Sequence, residues 1–303
     1  MSDLSLLTGK LRKTLPKLEI KENEPMSAHC SFRIGGACAA FIQPRGLSEL
    51  QSVCRLLRES GEKPLVIGNG TNLLVQDEYL PRVVLRFGEG LDALERIGEN
   101  GIRAEAGITL YKLANYAASL SLAGLEFAQG IPGTLGGGMS MNAGAYGGEL
   151  KDAAVAAEYL DSELELRRSE ELALSYRHSR FSDTDDLIVA AELRLIPGSE
   201  EEIRGKMRTL MEKRRASQPL DMPSAGSTFK RPVGGYAAAL IEEAGLKGYR
   251  IGGAMVSEKH AGFVINAGGA TCADVRRLME YIQKRVLETS GIALEAEVKL
   301  IQG

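Results

Sequence analysis

The sequence has little of what several classes of protein require. Only three histidines occur among its 303 residues, and none pairs with another at the spacing of metal ligands, so no metal site is predicted. The formal net charge is −3 and no long block of like charge occurs, which argues against a nucleic-acid-binding protein. No apolar run approaches ~20 residues, so no transmembrane helix is predicted, and the first residues lack the apolar core of a signal peptide.

Cysteine is also scarce, and its positions exclude two common uses. Cys30, Cys38, Cys54 and Cys272 form neither a CxxC pair nor a compact disulfide framework. We therefore expect reduced, mostly buried thiols in a cytoplasmic protein. The length favours two or three domains, which together bury roughly 75% of the surface that the unfolded chain exposes.

Helical and strand patterns occur throughout the chain, which predicts mixed α and β structure. Helical spacing of apolar residues marks LSELQSVCRLLRESGEK, LYKLANYAASLSLAGLEF, SEEEIRGKMRTLMEKRRA and YAAALIEEAG, and Thr271 with Asp274 predicts a capping box at the start of the last helix. Short alternating runs from Val155 to Pro197 predict antiparallel strands. ERIGENGIRAEAG predicts a hairpin that turns at Asn100-Gly101, and IALEAEVKLI predicts a final strand.

The glycine-rich stretch GIPGTLGGGMSMNAGAY runs from Gly130 to Tyr146. Glycine lets backbone N–H groups approach an anion closely, so a phosphate loop is the first interpretation. The stretch does not fit GxGxxG, because Met141 stands at the third position, nor the P-loop, because Met139 follows Gly138. The residues alone leave either a different kind of anion loop or no anion loop.

A second glycine turn, VIGNGTNLLV, ends a predicted strand and places Asn69, Thr71 and Asn72 beside two glycines. Two such loops could bind the two ends of a pyrophosphate. A pair of ordinary loops is an equally good interpretation, because glycine turns after strands are common.

Two other segments carry side chains that suit catalysis. Arg177, between Tyr176 and His178, suits bidentate binding of a carboxylate or phosphate, and a surface arginine on a strand is the alternative. Ser227, shortly before Lys230, could donate a proton, whereas hydroxyls in turns usually cap backbone groups.

Two carboxylates alternate on the predicted last strand and therefore share one face. These are Glu295 and Glu297, with apolar neighbours on both sides. A buried carboxylate there would have a raised pKa and could act as an acid, and a solvated pair is the alternative.

The joint order of these segments is more specific than any one of them. It closely resembles the family of UDP-N-acetylenolpyruvoylglucosamine reductases (UDP-N-acetylmuramate dehydrogenases), from about Glu24 to Gln302. The resemblance is carried by SFRIGG, GNGTNLLV, GIPGTLGG, MNAGAYGGE, YRHSRF, QPLDMPSAGSTFK, LIEEAGLKG, IGGAMVSEKHAGFVIN and LEAEV.

This resemblance implies an α+β fold: a two-part FAD-binding unit of the vanillyl-alcohol-oxidase (PCMH) type and a C-terminal α+β substrate-binding domain. The implied boundaries are 1–88, 89–203 and 204–303. Non-covalent FAD, NADPH as hydride donor and a UDP-sugar substrate are implied as well. The implied cofactor-binding residues are Gly68, Asn69, Gly70, Thr71, Asn72, Leu73, Gly130, Ile131, Pro132, Gly133, Gly136, Gly137, Asn142, Ala143 and Gly144.

The three catalytic positions of the family match Arg177, Ser227 and Glu297. The resemblance implies that Arg177 binds the substrate carboxylate, that Glu297 helps to polarise it, and that Ser227 protonates C2 after a hydride reaches C3. The implied substrate-binding residues are Tyr176, Arg215, Gln218 and Lys230.

The sequence departs from the family pattern in two ways. Arg231 stands where many members have asparagine, and no tyrosine occurs between Arg177 and Gly235, which implies the shorter form without a tyrosine loop. Another FAD-dependent oxidase of the same fold is an alternative that does not explain the Ser227 and Glu297 motifs. A non-catalytic UDP-sugar sensor is the second alternative, although it would be expected to have lost a catalytic residue. We expect a monomer.

Overall fold

The computed structural model describes residues 3–303, which divide into two compact units. The first unit contains the described residues up to Glu22 together with Ala40–Asn69 and Val83–Arg214. The second contains Asn23–Ala39, Gly70–Arg82 and Arg215–Gly303. Each unit has its own hydrophobic core. The boundaries 1–88, 89–203 and 204–303 stay a prediction.

Helices and strands alternate along the described chain. The α-helices are α1 (Asp3–Thr14), α2 (Leu47–Glu59), α3 (Leu110–Ser119), α4 (Leu135–Ser140), α5 (Glu200–Ser217), α6 (Ala237–Glu243) and α7 (Cys272–Ser290). The strands are β1 (Glu19–Pro25), β2 (Ala37–Gln43), β3 (Leu65–Ile67), β4 (Leu73–Val75), β5 (Leu80–Arg86), β6 (Leu94–Ile97), β7 (Gly101–Glu105), β8 (Leu122–Ala123), β9 (Gly144–Ala145), β10 (Gly148–Glu149), β11 (Ala154–Leu160), β12 (Leu166–Ser169), β13 (Leu187–Arg194), β14 (Ile196–Pro197), β15 (Arg250–Ile251), β16 (Ala254–Val256), β17 (Val264–Asn266) and β18 (Lys299–Ile301).

A five-stranded sheet of order β12-β11-β13-β7-β6 forms the largest element of the first unit. All of its neighbouring strands are antiparallel, as the alternating runs between Val155 and Pro197 predict. The short helix α4 packs against β13, the third strand of this sheet. The sheet therefore supports the glycine-rich stretch, which supplies all of α4.

The helix α2 forms because its apolar side chains lie on one face. Its buried side chains Leu50, Val53, Cys54 and Leu57 recur at the spacing of one helical face. That face belongs to the core of the first unit. The predicted helix is confirmed.

The hairpin of β6 and β7 is also confirmed, but its turn begins two residues earlier than predicted. Gly101 pairs with Ile97 inside the ladder, so the loop is Gly98 to Asn100 rather than Asn100-Gly101. Gly98 has φ +61°, a conformation that favours glycine, and the Asn100 carbonyl accepts the Leu195 N–H at 2.8 Å. These two features favour a turn at residues 98–100.

The second unit combines the antiparallel sheet β15-β16-β17 with α6 and α7, and adds the parallel pair β4-β18. The predicted capping box of α7 is confirmed, since Thr271 Oγ1 accepts the Asp274 N–H at 3.0 Å and Asp274 Oδ2 accepts the Thr271 N–H at 3.2 Å. Asp77 adds to this helix end by accepting the N–H groups of Cys272 and Ala273. These bonds satisfy donors that a helix start leaves unpaired.

The predicted final strand over residues 292–301 is wrong in its first part. Only Ala296 forms a bridge, to Phe229, before β18 begins at Lys299. The Leu294 carbonyl accepts the Gln283 side-chain amide, and the Glu297 N–H donates to the Thr228 carbonyl, so the segment leaves regular pairing. Glu295 and Glu297 still flank Ala296, but Glu295 is exposed whereas Glu297 is half-buried.

Candidate active site

The two predicted glycine loops meet in the first unit through Gly68, Asn69, Pro132 and Thr134. Asn69 Nδ2 donates to the Pro132 carbonyl at 3.0 Å. A Cβ added at Gly68 would overlap Thr134 Oγ1, and Thr134 is buried, so the close approach requires glycine here. The structure thus brings together parts of the two loops that the sequence places more than sixty residues apart.

Within the glycine-rich stretch, some backbone donors already have partners. The Gly136 N–H donates to the Ala106 carbonyl at 2.8 Å, and the Leu135 N–H donates to the Ile108 carbonyl at 2.8 Å. A Cβ on Gly136 would lie 2.9 Å from Ala106 Cβ, which explains the glycine by packing. Gly137 differs, because the nearest atom to an added Cβ is 3.6 Å away. Gly137 therefore has space beside it that Gly136 does not have.

Other predicted cofactor residues of this stretch take part in its turns. The Ile131 N–H donates to Ala128, the Gly133 carbonyl accepts Leu110 N–H, the Ala143 N–H donates to Gly138, Gly144 pairs with Glu149, and the Gly130 carbonyl accepts a bond from Arg214.

Asn142 is buried to 1% exposure and uses its whole side-chain amide inside the protein. Its Nδ2 donates to Glu149 Oε2 at 2.6 Å and to the Ser175 carbonyl at 3.1 Å, and its Oδ1 accepts the Lys151 N–H at 3.0 Å. Its φ of +44° is one that asparagine tolerates better than most residues. Asn142 therefore fixes the backbone at Ser175, the residue before Tyr176 and Arg177.

Tyr176 and Arg177 occupy the two central positions of a tight turn rather than a strand. Ser175 and His178 exchange both backbone hydrogen bonds, at 3.0 and 3.2 Å, and Arg177 has φ +55°. The Arg177 guanidinium lies 5.4 Å from the Tyr176 ring centroid. Ser179 and the nearby Ser182 both donate through their hydroxyls to the Ser140 carbonyl at the end of α4. The glycine-rich stretch thus positions the turn that carries Arg177.

Arg214 is not among the residues predicted from the sequence, but the structure places it beside the glycine-rich stretch. Arg214 is 9% exposed and its Nη1 donates to the Gly130 carbonyl at 2.6 Å. Its guanidinium lies 5.7 Å from the Tyr146 ring centroid, and it also has a hydrogen bond with the Tyr146 side chain. Burial lowers the pKa of Arg214 from its usual range. A buried cation of this kind is suited to bind an anion.

A sequence signal for Arg214 exists. The buried residues of α5 are Ile203, Met207 and Arg214, which share one helical face. An arginine on the buried face of a helix is unusual and would have marked this position.

In the second unit, the segment 70–73 is tied to the chain around Glu297. Gly70 has φ +60°, and a Cβ there would overlap the His29 carbonyl. Asn72 Nδ2 donates to the Glu297 carbonyl at 3.0 Å, and Leu73 pairs with Lys299. Thr71, between them, is half-buried.

The segments of Ser227 and Glu297 are paired in the same unit. The Glu297 N–H donates to the Thr228 carbonyl at 2.9 Å, and Phe229 bridges Ala296. Thr228 is buried, and its Oγ1 accepts the Val264 N–H at 2.9 Å, which anchors the segment in the core. Ser227 itself is exposed. Two of the predicted catalytic residues are thereby brought onto neighbouring chain segments.

The predicted substrate residues of the second unit differ in their surroundings. Lys230 donates its backbone N–H to the Glu295 carbonyl at 2.8 Å, and its Nζ forms an ion pair with the Glu295 carboxylate. Arg215 is exposed, and its carbonyl accepts Lys259 Nζ at 2.5 Å. The Gln218 carbonyl accepts the Leu220 N–H just after α5. Arg215, Gln218 and Lys230 belong to the second unit, whereas Tyr176 and Arg177 belong to the first.

All four cysteines are buried and free, as predicted. Burial raises the pKa of Cys54 to about 12 and those of Cys38 and Cys272 to about 11. In residues 3–303 no group of three His, Cys, Asp or Glu side chains is arranged to hold a metal ion. No helix in the described part of the chain combines the length and apolar character that crossing a membrane requires.

Comparison with known proteins identifies both parts of the chain. Residues 218–301 match the family described as UDP-N-acetylenolpyruvoylglucosamine reductase, C-terminal domain, and residues 38–168 match the family described as FAD binding domain. These matches confirm the predicted FAD-binding part and the C-terminal domain of the α+β fold.

Relatives match over almost the whole length. A UDP-N-acetylenolpyruvoylglucosamine reductase of Caldanaerobacter subterraneus subsp. tengcongensis is 46% identical over 98% of each chain. One of Listeria monocytogenes is 41% identical over 97% of this chain and 98% of its own. The crystal structure of the reductase of Thermus caldophilus is 33% identical, with a TM-score of 0.79 over 94% of this chain and 98% of its own. The chain therefore belongs to the UDP-N-acetylenolpyruvoylglucosamine reductase family.

Proposed function

We propose that this chain reduces UDP-N-acetylglucosamine enolpyruvate to UDP-N-acetylmuramate in peptidoglycan precursor synthesis, with bound FAD and with NADPH as hydride donor. Relatives that carry the reductase name cover 98% of the chain, and an FAD-binding family matches residues 38–168. The observation that carries the proposal is the pairing of the Ser227 and Glu297 segments. The reaction needs a proton donor (Ser227) and a group that polarises the substrate carboxylate (Glu297), and both must be held in defined positions.

FAD fits the first unit on two grounds. Gly68 lies too close to Thr134 for a Cβ and Asn69 donates to the Pro132 carbonyl, so the two glycine loops lie side by side, as the two ends of a pyrophosphate require. Arg214 supplies a buried cation, which suits the diphosphate of FAD. Bound FAD supplies the transfer of a hydride from NADPH to C3 of the substrate.

The residues around FAD have separate proposed roles. Gly68, Asn69 and Gly137 present backbone to it, whereas Asn142 acts through the turn at Ser175 because its amide is fully used. Further contacts are proposed for the other residues that the family resemblance indicates: Gly70, Thr71, Asn72, Leu73, Gly130, Ile131, Pro132, Gly133, Gly136, Ala143 and Gly144.

Arg177 binds the substrate carboxylate in this proposal. Negative charge develops on that carboxylate when a hydride has been added at C3, and a fixed cation stabilises the charge by an amount often worth ~10²- to 10³-fold in rate. Its turn position supports this role, because a residue at φ +55° in a two-residue turn has little backbone freedom. Glu297 polarises the same carboxylate.

Ser227 donates the proton that C2 receives. Gly226, with φ +78°, precedes it, and Thr228 follows it in the core, so the backbone on both sides is defined while the Ser227 side chain stays exposed. The UDP-sugar is held by Tyr176, Arg215, Gln218 and Lys230. The protein is proposed to act as a cytoplasmic monomer with non-covalent FAD.

The test is NADPH oxidation by the purified protein, with and without UDP-N-acetylglucosamine enolpyruvate. We expect oxidation that depends on the substrate, together with release of yellow flavin on acid precipitation. Oxidation that is independent of the substrate and needs oxygen would instead indicate an oxidase. Binding of the substrate without any oxidation of NADPH would indicate a non-catalytic sensor.

A further inference from the structure

We infer that Ser31 is a positioning residue for the proton-transfer step: its hydroxyl holds the chain segment that carries Ser227 against the segment 70–73, which is proposed to contact FAD. The inference rests on the proposed function, because it takes Ser227 as the proton donor. Ser31 has no role in the chemistry described above and lies far from both segments in the sequence. The structure nevertheless joins it to both by hydrogen bonds.

Ser31 bonds to the two segments through two different groups. Its backbone N–H donates to the Gly70 carbonyl at 3.2 Å. Its Oγ donates to the Ser224 carbonyl at 2.6 Å, which is at the short end of the range for a hydroxyl donor. Because Ser31 is half-buried, water competes less for these bonds than it would at an exposed serine. One residue therefore connects the segment 70–73 to the segment that leads to Ser227.

The chain around Ser31 is packed tightly on both sides. Phe32 and Ile34 are 1% and 2% exposed and belong to the core of the second unit. On the other side, a Cβ added at Gly70 would lie 2.2 Å from the His29 carbonyl, so the two backbones are in direct contact. A tightly packed segment has little freedom to shift, and it therefore fixes the position of a group that is hydrogen-bonded to it.

Asn266 strengthens the same connection. Its Nδ2 donates to the Phe32 carbonyl at 3.2 Å, and its backbone N–H donates to the Pro223 carbonyl at 2.8 Å. Asn266 thus links the residue after Ser31 to the residue before Ser224. Together with the Ser31 hydroxyl bond, these contacts define the distance between residues 31–32 and residues 223–224.

Ser227 lies between two points at which its chain is fixed. Ser224 is held by the Ser31 hydroxyl on one side, and on the other side the Thr228 N–H donates to the Gly262 carbonyl at 2.9 Å. A proton donor must lie within hydrogen-bond reach of the atom that it protonates, and a misplacement of about 1 Å can cost ~10²-fold in rate. Loss of the Ser31 hydroxyl should therefore slow the step in which Ser227 acts.

The experiment measures the two half-reactions of the FAD-loaded enzyme by stopped flow. The variants are Ser31→Ala, Ser31→Thr, which keeps a hydroxyl, and the control Ser290→Ala. Ser290 lies in the same unit, and its hydroxyl donates to the Val286 carbonyl of its own helix at 2.7 Å. In Ser31→Ala, reoxidation by UDP-N-acetylglucosamine enolpyruvate should be slower by about 10- to 100-fold. Reduction by NADPH should stay within about twofold of the wild type, as should both half-reactions of the other two variants.

A double variant separates positioning from a general structural role. Because Ser31 acts through Ser227, Ser31→Ala should cause no further slowing of reoxidation when it is added to Ser227→Ala. A further loss in that background, equal slowing of both half-reactions, loss of flavin from Ser31→Ala, or wild-type reoxidation by Ser31→Ala would overturn the inference. If the substrate does not reoxidise the flavin of the wild type, the proposed function itself fails, which is a different result from an active wild type that is insensitive to Ser31→Ala.

Discussion

The candidate site residues of the two units differ in how far they are buried. In the first, residues around the glycine loops are buried, as Asn142, Thr134 and Arg214 show, and the Asn142 amide is fully hydrogen-bonded inside the protein. In the second, Ser227 is exposed, and Lys230 forms its ion pair with the exposed Glu295. The first arrangement suits a cofactor that stays bound, because its shape is set in advance. The second suits ligands that enter and leave in each cycle.

Within the first unit, the glycines of the two loops also fall into two kinds, according to the space beside them. Gly68 and Gly136 are required by neighbouring protein atoms, whereas Gly137 has room for a Cβ. A glycine that packing requires contributes to the fold, and a glycine with open space beside it is available to a ligand. Substitutions can therefore distinguish fold from binding inside one loop.

The largest effect is expected for Gly68→Ala in the first unit. The added Cβ overlaps Thr134, a buried β-branched residue with little freedom to move, so the two loops separate. We expect purified protein with almost no flavin and a lower thermal midpoint in the flavin-free form. Absorbance of flavin per protein and a thermal melt of the flavin-free protein measure the two effects.

Gly137→Ala is the matched control in the same loop. Its Cβ has 3.6 Å to the nearest atom, so the flavin-free protein should melt at the same temperature as the wild type or slightly higher. Reduced flavin content in this variant would assign Gly137 to the cofactor surface. A lower melting temperature of the flavin-free form would contradict the distinction between the two glycines.

A second effect is expected for Asn142→Ala. The change leaves the Ser175 carbonyl and the Lys151 N–H without their partner and should lower the free energy of unfolding by about 2–3 kcal/mol. Because Asn142 fixes the turn of Arg177, the rate of substrate reduction should fall as well. Denaturant unfolding and steady-state kinetics measure both.

Asn115→Ala is the comparison for this variant. Asn115 lies on α3 in the same unit and its Nδ2 donates to the Tyr111 carbonyl of its own helix. It should lose less than about 1 kcal/mol and keep its activity. An Asn142 variant as stable and active as the Asn115 variant would remove the proposed link to Arg177.

The smallest effect is expected for Glu295→Gln in the second unit. Its ion pair with Lys230 is largely solvated, so its loss changes the binding energy by at most about 1 kcal/mol. UDP should bind up to about fivefold more tightly at low ionic strength, and the gain should vanish in high salt. Weaker binding of UDP would mean that Glu295 orients Lys230 instead of competing with the phosphates, and calorimetry in two salt concentrations decides this.

The parts that could be predicted from the sequence have local causes. The helix α2, the capping box of α7 and the antiparallel strands follow from spacing and cap residues. The hairpin turn at Gly98 was missed because Asn-Gly is only one of the turns that the segment allows, and the bond from Leu195 to Asn100 selects another. The FAD-binding part and the family followed from the joint order of motifs.

The rest depended on residues distant in sequence. Arg214 contacts Gly130, and Asn142 reaches Ser175, over separations that no local pattern contains. The final strand was overpredicted because alternating apolar residues do not show that Gln283 and Thr228 take its backbone groups. The roles of the individual site residues stay predictions for the same reason.

The central claim is that the first unit holds the flavin and that Ser227 of the second delivers the proton. Stopped-flow measurement of the two half-reactions of Ser227→Ala tests it most directly. We predict that NADPH reduces the flavin of this variant at the wild-type rate, while reoxidation by UDP-N-acetylglucosamine enolpyruvate is slower by ~10²- to 10⁴-fold, as for the loss of a general acid. Equal slowing of both half-reactions, or wild-type reoxidation, would contradict the claim.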